Sequence, residues 1–350
     1  MNEMFDAMNT VAAESWGWME AGIAEGIGPG EESVTDFNLV KLRQLIPSLK
    51  VKKFTRKEEA GNGADWEWWI GSAFEEQWIK LRVQAKRCSH EGVRYEQLGH
   101  KTKNSAMAQY DTLIAKSLVE RAIPFHVFFN GWPEDRYLVK DQYHDVIARD
   151  RRAARDGALQ SSAWDAPNWG CTMVSTSKVK SIFEDTTKSD FPRSLLDEKK
   201  QKDNLYIPHY LTDSTPWSHM LYSNDPGRTL TVREVAQNLH RMQGNDRELT
   251  DKEFLSMTYP NPSQEAEQEA YDGRYSFRKS IDVEEQEYQA ADRIRAQEFI
   301  TSIEFPFGKF PPDLNRILEG DDEEESGLEY RLLLELDPER SHYFNPNYEG

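Results

Sequence analysis

The chain has 350 residues, of which 38% are hydrophobic and 30% charged, and its formal net charge is −18. This length allows one large domain or two ordinary ones, and no apolar run of about 18 residues is present to span a membrane. The N-terminus lacks the basic start and apolar stretch of a signal peptide. Two cysteines are too few for a disulfide framework or a thiolate zinc site. We therefore expect an intracellular protein, cytoplasmic or nuclear.

The charge is unevenly distributed along the chain. Residues 261–350 contain 23 acidic and 9 basic residues. Residues 80–103 contain only two acids, and their basic residues are Lys80, Arg82, Lys86, Arg87, Arg94, Lys101 and Lys103. A local basic segment is typical of a surface that contacts phosphates. The alternative is an ordinary solvated strand edge and loop.

The first predicted elements are two helices and two strands. Residues 1–30 predict a helical extension that ends in a Gly/Pro cluster, and Ser33 with Asp36 predicts the start of the next helix. Residues 65–70 and 79–86 are rich in aromatic and β-branched residues and predict two strands separated by a short loop.

The middle of the chain predicts further strands and helices. Residues 104–122 have apolar residues at helical spacing, and Pro124 ends this predicted helix. Residues 124–130 and 169–175 predict two more strands, and Thr176 begins another helix. This order favours an α/β fold with a mixed central sheet flanked by helices.

The pattern weakens beyond residue 190. We expect an N-terminal helical extension over 1–30, one α/β domain over 31–190, and an accessory region over 191–350. The accessory region is predicted to be mainly helical or irregular, with an acidic C-terminal part. The like-charge run at 320–326 predicts a disordered loop.

The two predicted strands at 65–70 and 79–86 carry the most informative group of residues. In an antiparallel hairpin centred between residues 75 and 76, Asp65 lies opposite Lys86 and Glu67 lies opposite Gln84. Opposed positions are roughly 4.5–5.5 Å apart at Cβ. This register gathers two carboxylates, an amide oxygen and an ammonium on one face of the sheet, whereas a one-residue slip would scatter them.

Such a group suits the hydrolysis of a phosphodiester. Mg²⁺ prefers one or two carboxylates, with waters and a substrate phosphate completing its shell. The ion lowers the pKa of a bound water, and a lysine beside it can stabilise charge on the phosphate. An ordinary cross-strand ion pair between Asp65 and Lys86 would use the same residues without catalysis. Glu67 would either join the metal or pair with a neighbouring base.

The sequence GADWEWW followed by VQAKR resembles the PD-(D/E)xK nuclease superfamily, specifically the Mrr-like restriction endonuclease branch. In that branch Gln replaces the usual Glu, which matches Gly63-Ala64-Asp65 and Gln84-Ala85-Lys86. The chain also resembles an uncharacterised domain family of unknown function that has the DWEWW and QAK elements. The resemblance covers roughly residues 31–185 and implies a restriction-endonuclease-like fold.

The resemblance implies a function for each matching residue. Asp65 would be the metal-binding acid, Gln84 a ligand through its amide oxygen, and Lys86 the catalytic lysine. The helix ahead of the sheet would add a metal-binding acid, for which Glu32 is preferred over Asp36. The implied cofactor is Mg²⁺ or Mn²⁺.

The resemblance also implies how the substrate is bound. Gln109, ahead of the Leu113-Ile114 step, would support the site or contact the substrate backbone. The local basic charge, rather than the resemblance, makes Lys80, Arg82 and Arg87 the residues expected to contact phosphates. The expected partner is a nucleic acid, with DNA favoured over RNA, no membrane is expected, and a homodimer is left open.

Two other functions compete with a metal-dependent nuclease. The protein could be a nucleic-acid-binding module that keeps the nuclease fold but is catalytically inactive. It could also be an interaction protein whose acidic C-terminal part, residues 261–350, covers the basic segment. Trp66 and Trp68 are expected on the sheet face opposite Asp65, packed beneath the central helix.

Overall fold

The structure is a computed structural model that describes residues 3–53, 64–90, 94–101, 107–132, 166–184, 205, 207–211, 213–225, 227–259 and 330–337. Within them the helices are α1 (Glu3–Ala24), α2 (Glu31–Leu45), α3 (Gln109–Val119), α4 (Thr176–Glu184), α5 (Ile207–Leu211), α6 (Val232–Met242) and α7 (Asp251–Met257). The strands are β1 (Leu49–Lys53), β2 (Trp66–Ser72), β3 (Gln77–Arg87), β4 (Ile123–Phe129), β5 (Cys171–Ser175), β6 (Thr215–Pro216), β7 (Thr258–Tyr259) and β8 (Tyr330–Glu335).

The eight strands form one mixed sheet in the order β1-β8-β2-β3-β4-β5-β6, and β7 pairs with β3. β2 and β3 are antiparallel, whereas β3 and β4 are parallel and are connected through α3. The predicted α/β class, with a mixed central sheet flanked by helices, is therefore confirmed, and it is consistent with a restriction-endonuclease-like fold. In the described part of the chain, no helix is long and apolar enough to cross a membrane.

The two faces of the sheet differ in polarity. Because side chains alternate along a strand, Trp66, Trp68 and Val83 share one face, which carries the main hydrophobic core. We call this the apolar face. The opposite, polar face carries a row of buried polar side chains from β2, β3 and β4: Glu67, Lys80, Arg82, Gln84, Lys86 and His126.

The helices are divided between these faces. Asn38 of α2 donates a hydrogen bond to the Cys171 sulfur on the apolar face and accepts one from Ser15 of α1. Glu120, which directly follows α3, pairs with Arg82 on the polar face. Trp66 and Trp68 do lie opposite the charged residues, but the helix predicted to cover them, α3, lies on the other side of the sheet.

The N-terminal helix α1 is part of the core. Met8, Val11 and Met19 on one side of it are fully buried. α1 approaches the sheet so closely that a Cβ built on Gly170 would lie 1.8 Å from the Ala12 carbonyl oxygen. Glycine at this position is what allows the helix backbone to pack directly on the end of β5. The predicted extension over 1–30 therefore packs as one of the layers of the domain.

The region predicted as accessory contributes to the same sheet. β6, β7 and β8 all come from residues beyond 190, and β8 lies between β1 and β2, parallel to β2 and antiparallel to β1. Leu332 and Leu334 of β8 are fully buried in the main core. The sheet therefore does not end at the domain boundary predicted at residue 190. The predicted loop at 320–326 lies outside the described residues.

Candidate functional site

The register between β2 and β3 differs from the predicted one by two residues. Glu67 lies opposite Arg82, and Trp69 lies opposite Lys80. The predicted pairing of Glu67 with Gln84 is wrong because the hairpin turns through a four-residue loop between Ser72 and Gln77. A shift of two residues preserves the side-chain face, so Glu67, Gln84 and Lys86 stay on one side of the sheet even though the opposed pairs change.

Asp65 lies immediately before β2 and is held by the backbone of β3. Its backbone N–H donates to the Val83 carbonyl oxygen at 2.8 Å, and its carboxylate accepts the Ala85 N–H at 2.5 Å. The paired register ends at Trp66 opposite Val83, and the bond to the Ala85 N–H places the Asp65 carboxylate beside the residue that follows Gln84. Asp65 is partly exposed to solvent.

Within the described part of the chain, Gln84 is buried without the hydrogen bonds that usually accompany a buried amide. Its side chain is fully buried, and neither its amide oxygen nor its amide nitrogen has a hydrogen-bond partner among the described residues. Leaving a buried polar group unpaired costs about 1–3 kcal/mol, and such groups are few in native proteins. An amide with both atoms free on this face is therefore suited to binding a ligand.

Lys86 lies two residues further along the same face and is only 4% exposed. Its Nζ is 3.2 Å from Oε1 of Glu31, and Oε2 of Glu31 accepts the Arg87 backbone N–H at 3.3 Å. Glu31 is the first residue of α2, so the helix ahead of the sheet delivers an acid to the lysine. The predicted acids lie elsewhere on α2, with Glu32 exposed and Asp36 partly buried.

Glu31 was missed from the sequence although it adjoins Glu32. Residue types alone do not separate two neighbouring glutamates at a helix start, because which one faces the sheet depends on where the helix begins. The non-helical Gly30 that caps α2 makes Glu31 its first residue. The assignment of Glu32 as a metal ligand stays a prediction.

Glu67 belongs to a buried ion-pair network. Its Oε2 is 3.1 Å from the Lys80 Nζ, and its Oε1 accepts a hydrogen bond from the Trp69 indole at 2.6 Å. Glu120 pairs with Lys80 at 3.2 Å and with Arg82 at 2.9 Å. Of the two alternatives for Glu67, the structure thus shows the pairing with a neighbouring base. Glu120 is the member that the sequence did not reveal, since it lies 38 residues from Arg82.

The predicted substrate-contact residues differ in accessibility. Lys80 and Arg82 are 5% and 0% exposed and neutralised by Glu67 and Glu120, so they are not on an open surface. Arg87 is partly exposed, donates to the Cys88 carbonyl oxygen at 2.9 Å and lies 3.7 Å from Glu96. Gln109 is the first residue of α3, with its backbone N–H donating to the His100 carbonyl oxygen.

His126 of β4 is a further polar residue at the site. It pairs with Gln84 in the parallel register, so both side chains leave the same face from strands about 4.8 Å apart. Its Nδ1 lies 3.1 Å from the Thr176 hydroxyl, and its Nε2 has no hydrogen-bond partner among the described residues. Burial, aided by the charge of Lys86, lowers the pKa of His126 to about 3, so the imidazole is neutral. The strand was predicted but its register with β3 was not, which is why His126 was missed.

The comparison with protein families covers most of this architecture. The model of a family of unknown function, DUF6615, matches residues 4–305. The chain belongs to this family. No curated protein and no solved structure matches the chain. The family match includes Asp65, Gln84, Lys86 and Glu31, whereas β8 lies beyond its end.

The side chains of this DUF6615 member can be tested against the needs of a divalent cation. Within the described ranges, no group of three His, Cys, Asp or Glu side chains is arranged to hold a metal. Mg²⁺ needs fewer protein ligands, because it keeps several waters and takes one or two carboxylates. Asp65, Glu31 and the unpaired Gln84 amide supply hard oxygen atoms of the required type. These oxygen atoms are of the chemical type that Mg²⁺ or Mn²⁺ binds.

Proposed function

We propose that this protein is a metal-dependent nuclease that hydrolyses phosphodiester bonds, with DNA favoured over RNA as its substrate. The observation that carries the proposal is the buried, unpaired amide of Gln84, which lies on the same face as Lys86 and next to Asp65. An ordinary ion pair between Asp65 and Lys86 would leave this amide unexplained. The structure instead pairs Lys86 with Glu31.

Three side chains would hold the cation: Asp65, Gln84 through its amide oxygen, and Glu31. When bound, Mg²⁺ or Mn²⁺ supplies a water of lowered pKa and polarises the phosphoryl oxygen. The protein itself contributes fixed positions, because Asp65 is anchored to the Ala85 amide and Glu31 to the Arg87 amide. Positions fixed before the reaction reduce the reorganisation that the reaction requires.

Lys86 is suited to stabilising the charge that develops on the phosphate. Its ammonium is shielded from bulk water, where an electrostatic interaction is stronger than at an exposed surface. Glu31 holds the ammonium in place through their ion pair. Arg87, at the end of β3 and partly exposed, is the basic residue best placed to contact a neighbouring phosphate.

Cleavage of plasmid DNA by the full-length protein tests the proposal, with Mg²⁺, Mn²⁺ or a chelator present and an RNA of matched length in parallel. Asp65→Asn and Lys86→Met should each reduce the cleavage rate by about 100-fold or more, the range for losing one charge-stabilising group. The matched controls are Asp213→Asn and Lys178→Met, which break a partly exposed ion pair of 3.2 Å. These controls should cleave like the wild type.

The outcomes separate the competing functions. Cleavage that survives in both Asp65→Asn and Lys86→Met, or that needs no metal, would contradict the proposal. Salt-dependent DNA binding by the wild type without cleavage under either metal would assign the protein instead to inactive nucleic-acid-binding modules. Thermal unfolding of every variant establishes that lost cleavage is not lost folding.

A further inference from the structure

The polar face beneath α3 has more unpaired polar atoms than metal binding alone explains. Among the described residues, Gln84 contributes an unpaired donor and an unpaired acceptor, His126 one unpaired ring nitrogen, and Ser117 of α3 an unpaired hydroxyl. All three residues are fully buried. Gln84 and His126 are direct neighbours in the parallel pair of β3 and β4, so a rotation of the flexible Gln84 side chain can bring their polar atoms together.

The chemistry of the two side chains restricts how they can combine. A metal cation binds only the amide oxygen of Gln84. The amide N–H group of Gln84 then needs a separate hydrogen-bond acceptor. A neutral imidazole has one N–H donor and one acceptor nitrogen. The Nε2 atom of His126 can accept from Gln84 only when the ring proton is on Nδ1.

Thr176 is the hydrogen-bond partner of that ring nitrogen. Its hydroxyl oxygen is 3.1 Å from Nδ1 of His126, and a threonine hydroxyl can accept a hydrogen bond from an imidazole N–H. Thr176 is itself fully buried as the first residue of α4, so its position relative to β4 is fixed. An Nδ1–H bond to Thr176 leaves Nε2 as an acceptor on the strand position next to Gln84.

We propose that His126 is a positioning residue: with its proton on Nδ1 and donated to Thr176, its Nε2 accepts the Gln84 amide N–H and turns the amide oxygen towards the metal. This inference rests on the proposed metal-dependent function. The opposite tautomer would direct an N–H at Gln84, hold its oxygen and present its amide hydrogens to the cation. One ring proton thus decides which end of the Gln84 amide is available.

The ring proton can be observed directly by NMR of the full-length protein labelled with ¹⁵N-histidine. The chain has eight histidines, and the signals of His126 are those lost in His126→Gln. We expect Nδ1 to carry the proton in the wild type and the proportion of this tautomer to fall in Thr176→Val. A wild-type His126 with its proton on Nε2 would overturn the inference without any measurement of metal binding.

Titration with Mn²⁺ measures the consequence for the ligand. His126→Leu and Thr176→Val should each weaken Mn²⁺ binding by about tenfold or more, which is the usual cost of losing a residue that orients a metal ligand. His126→Gln, which retains an acceptor oxygen, should recover part of the affinity. His219→Leu is the matched control. His219 is partly buried, burial likewise lowers its pKa to about 3, and it stacks on Phe5 away from the polar face.

The results distinguish failure of this inference from failure of the proposed function. If the wild type binds Mn²⁺ and cleaves DNA, and His126→Leu binds Mn²⁺ as tightly as His219→Leu does, only the positioning of Gln84 by His126 is refuted. Unchanged affinity in His126→Leu but reduced affinity in Ser117→Ala would assign the orienting role to Ser117 and equally overturn the inference. Wild-type protein that neither binds Mn²⁺ nor cleaves would overturn both. Should His126→Leu not fold, Thr176→Val and the tautomer measurement still decide.

Discussion

Replacement of Glu67 by Gln tests whether this buried carboxylate stabilises the fold or binds metal. Glu67 is fully buried and contacts Lys80 at 3.1 Å and the Trp69 indole at 2.6 Å. Gln at this position keeps an oxygen for the indole but removes the negative charge that faces the ammonium. Removal of one partner from a buried ion pair costs about 3–5 kcal/mol. Since Glu120 also contacts Lys80, we expect the lower end, about 3 kcal/mol.

Urea denaturation followed by tryptophan fluorescence measures this loss. Glu120→Gln is the matched comparison within the network: Glu120 is about one-third exposed, so its removal should cost about 1 kcal/mol. The double variant Glu67→Gln/Lys80→Gln should lose at least about 1 kcal/mol less than the sum of the single variants, because neither group is then left unpaired. Mn²⁺ affinity should be unchanged in Glu67→Gln.

The opposite pattern would refute this reasoning. A Glu67→Gln protein as stable as the wild type but with weakened Mn²⁺ binding would make Glu67 a metal ligand. It would also mean that the Lys80 ammonium takes the place of the cation when no metal is bound. Purely additive losses in the double variant would show that the two residues do not interact in solution.

Two further predictions concern β8. Leu332→Ala should destabilise the protein by about 2–5 kcal/mol in urea denaturation, because Leu332 is fully buried. The control Leu45→Ala should have a small effect, because Leu45 is 43% exposed. Equal effects of the two substitutions would show that β8 is not part of the core. Burial raises the pKa of Glu335 from 4.5 to about 7. The folded protein therefore holds this proton more tightly than the unfolded chain, and the contribution of Glu335 to stability is lost as pH rises from about 4.5 to 7. Glu335→Gln should remove this pH dependence from the urea midpoint, and an identical dependence in both proteins would contradict it.

The position of β8 also changes how the acidic C-terminal part, residues 261–350, can be tested. Deletion of residues 261–350 would remove a strand that pairs with both β1 and β2. A change in nucleic-acid affinity after that deletion would therefore reflect a damaged sheet as much as the loss of acidic residues. Charge-reversing substitutions within 261–320 keep β8 in place and test the masking hypothesis without this loss.

The local elements follow closely from the sequence. The predicted strand at 79–86 corresponds to β3, and the predicted strand at 124–130 corresponds to β4 within one residue at each end. The first alternates apolar and polar residues, and the second is rich in aromatic residues; both patterns favour a strand locally. The predicted helix at 104–122 is shorter in the described residues, where it spans Gln109–Val119. Helix ends depend on capping contacts, which a period of apolar residues does not define.

The sequence by itself determined that Gln84 and Lys86 share a strand face, because the period of two in a β-strand survives any even shift of register. Tertiary structure alone decided their neighbours. Glu31 reaches Lys86 across 55 residues, Glu120 reaches Arg82 across 38, and His126 is set beside Gln84 by the parallel pairing of β3 and β4. Such contacts depend on how distant segments pack, and the insertion of β8 between β1 and β2 is the largest of these long-range effects.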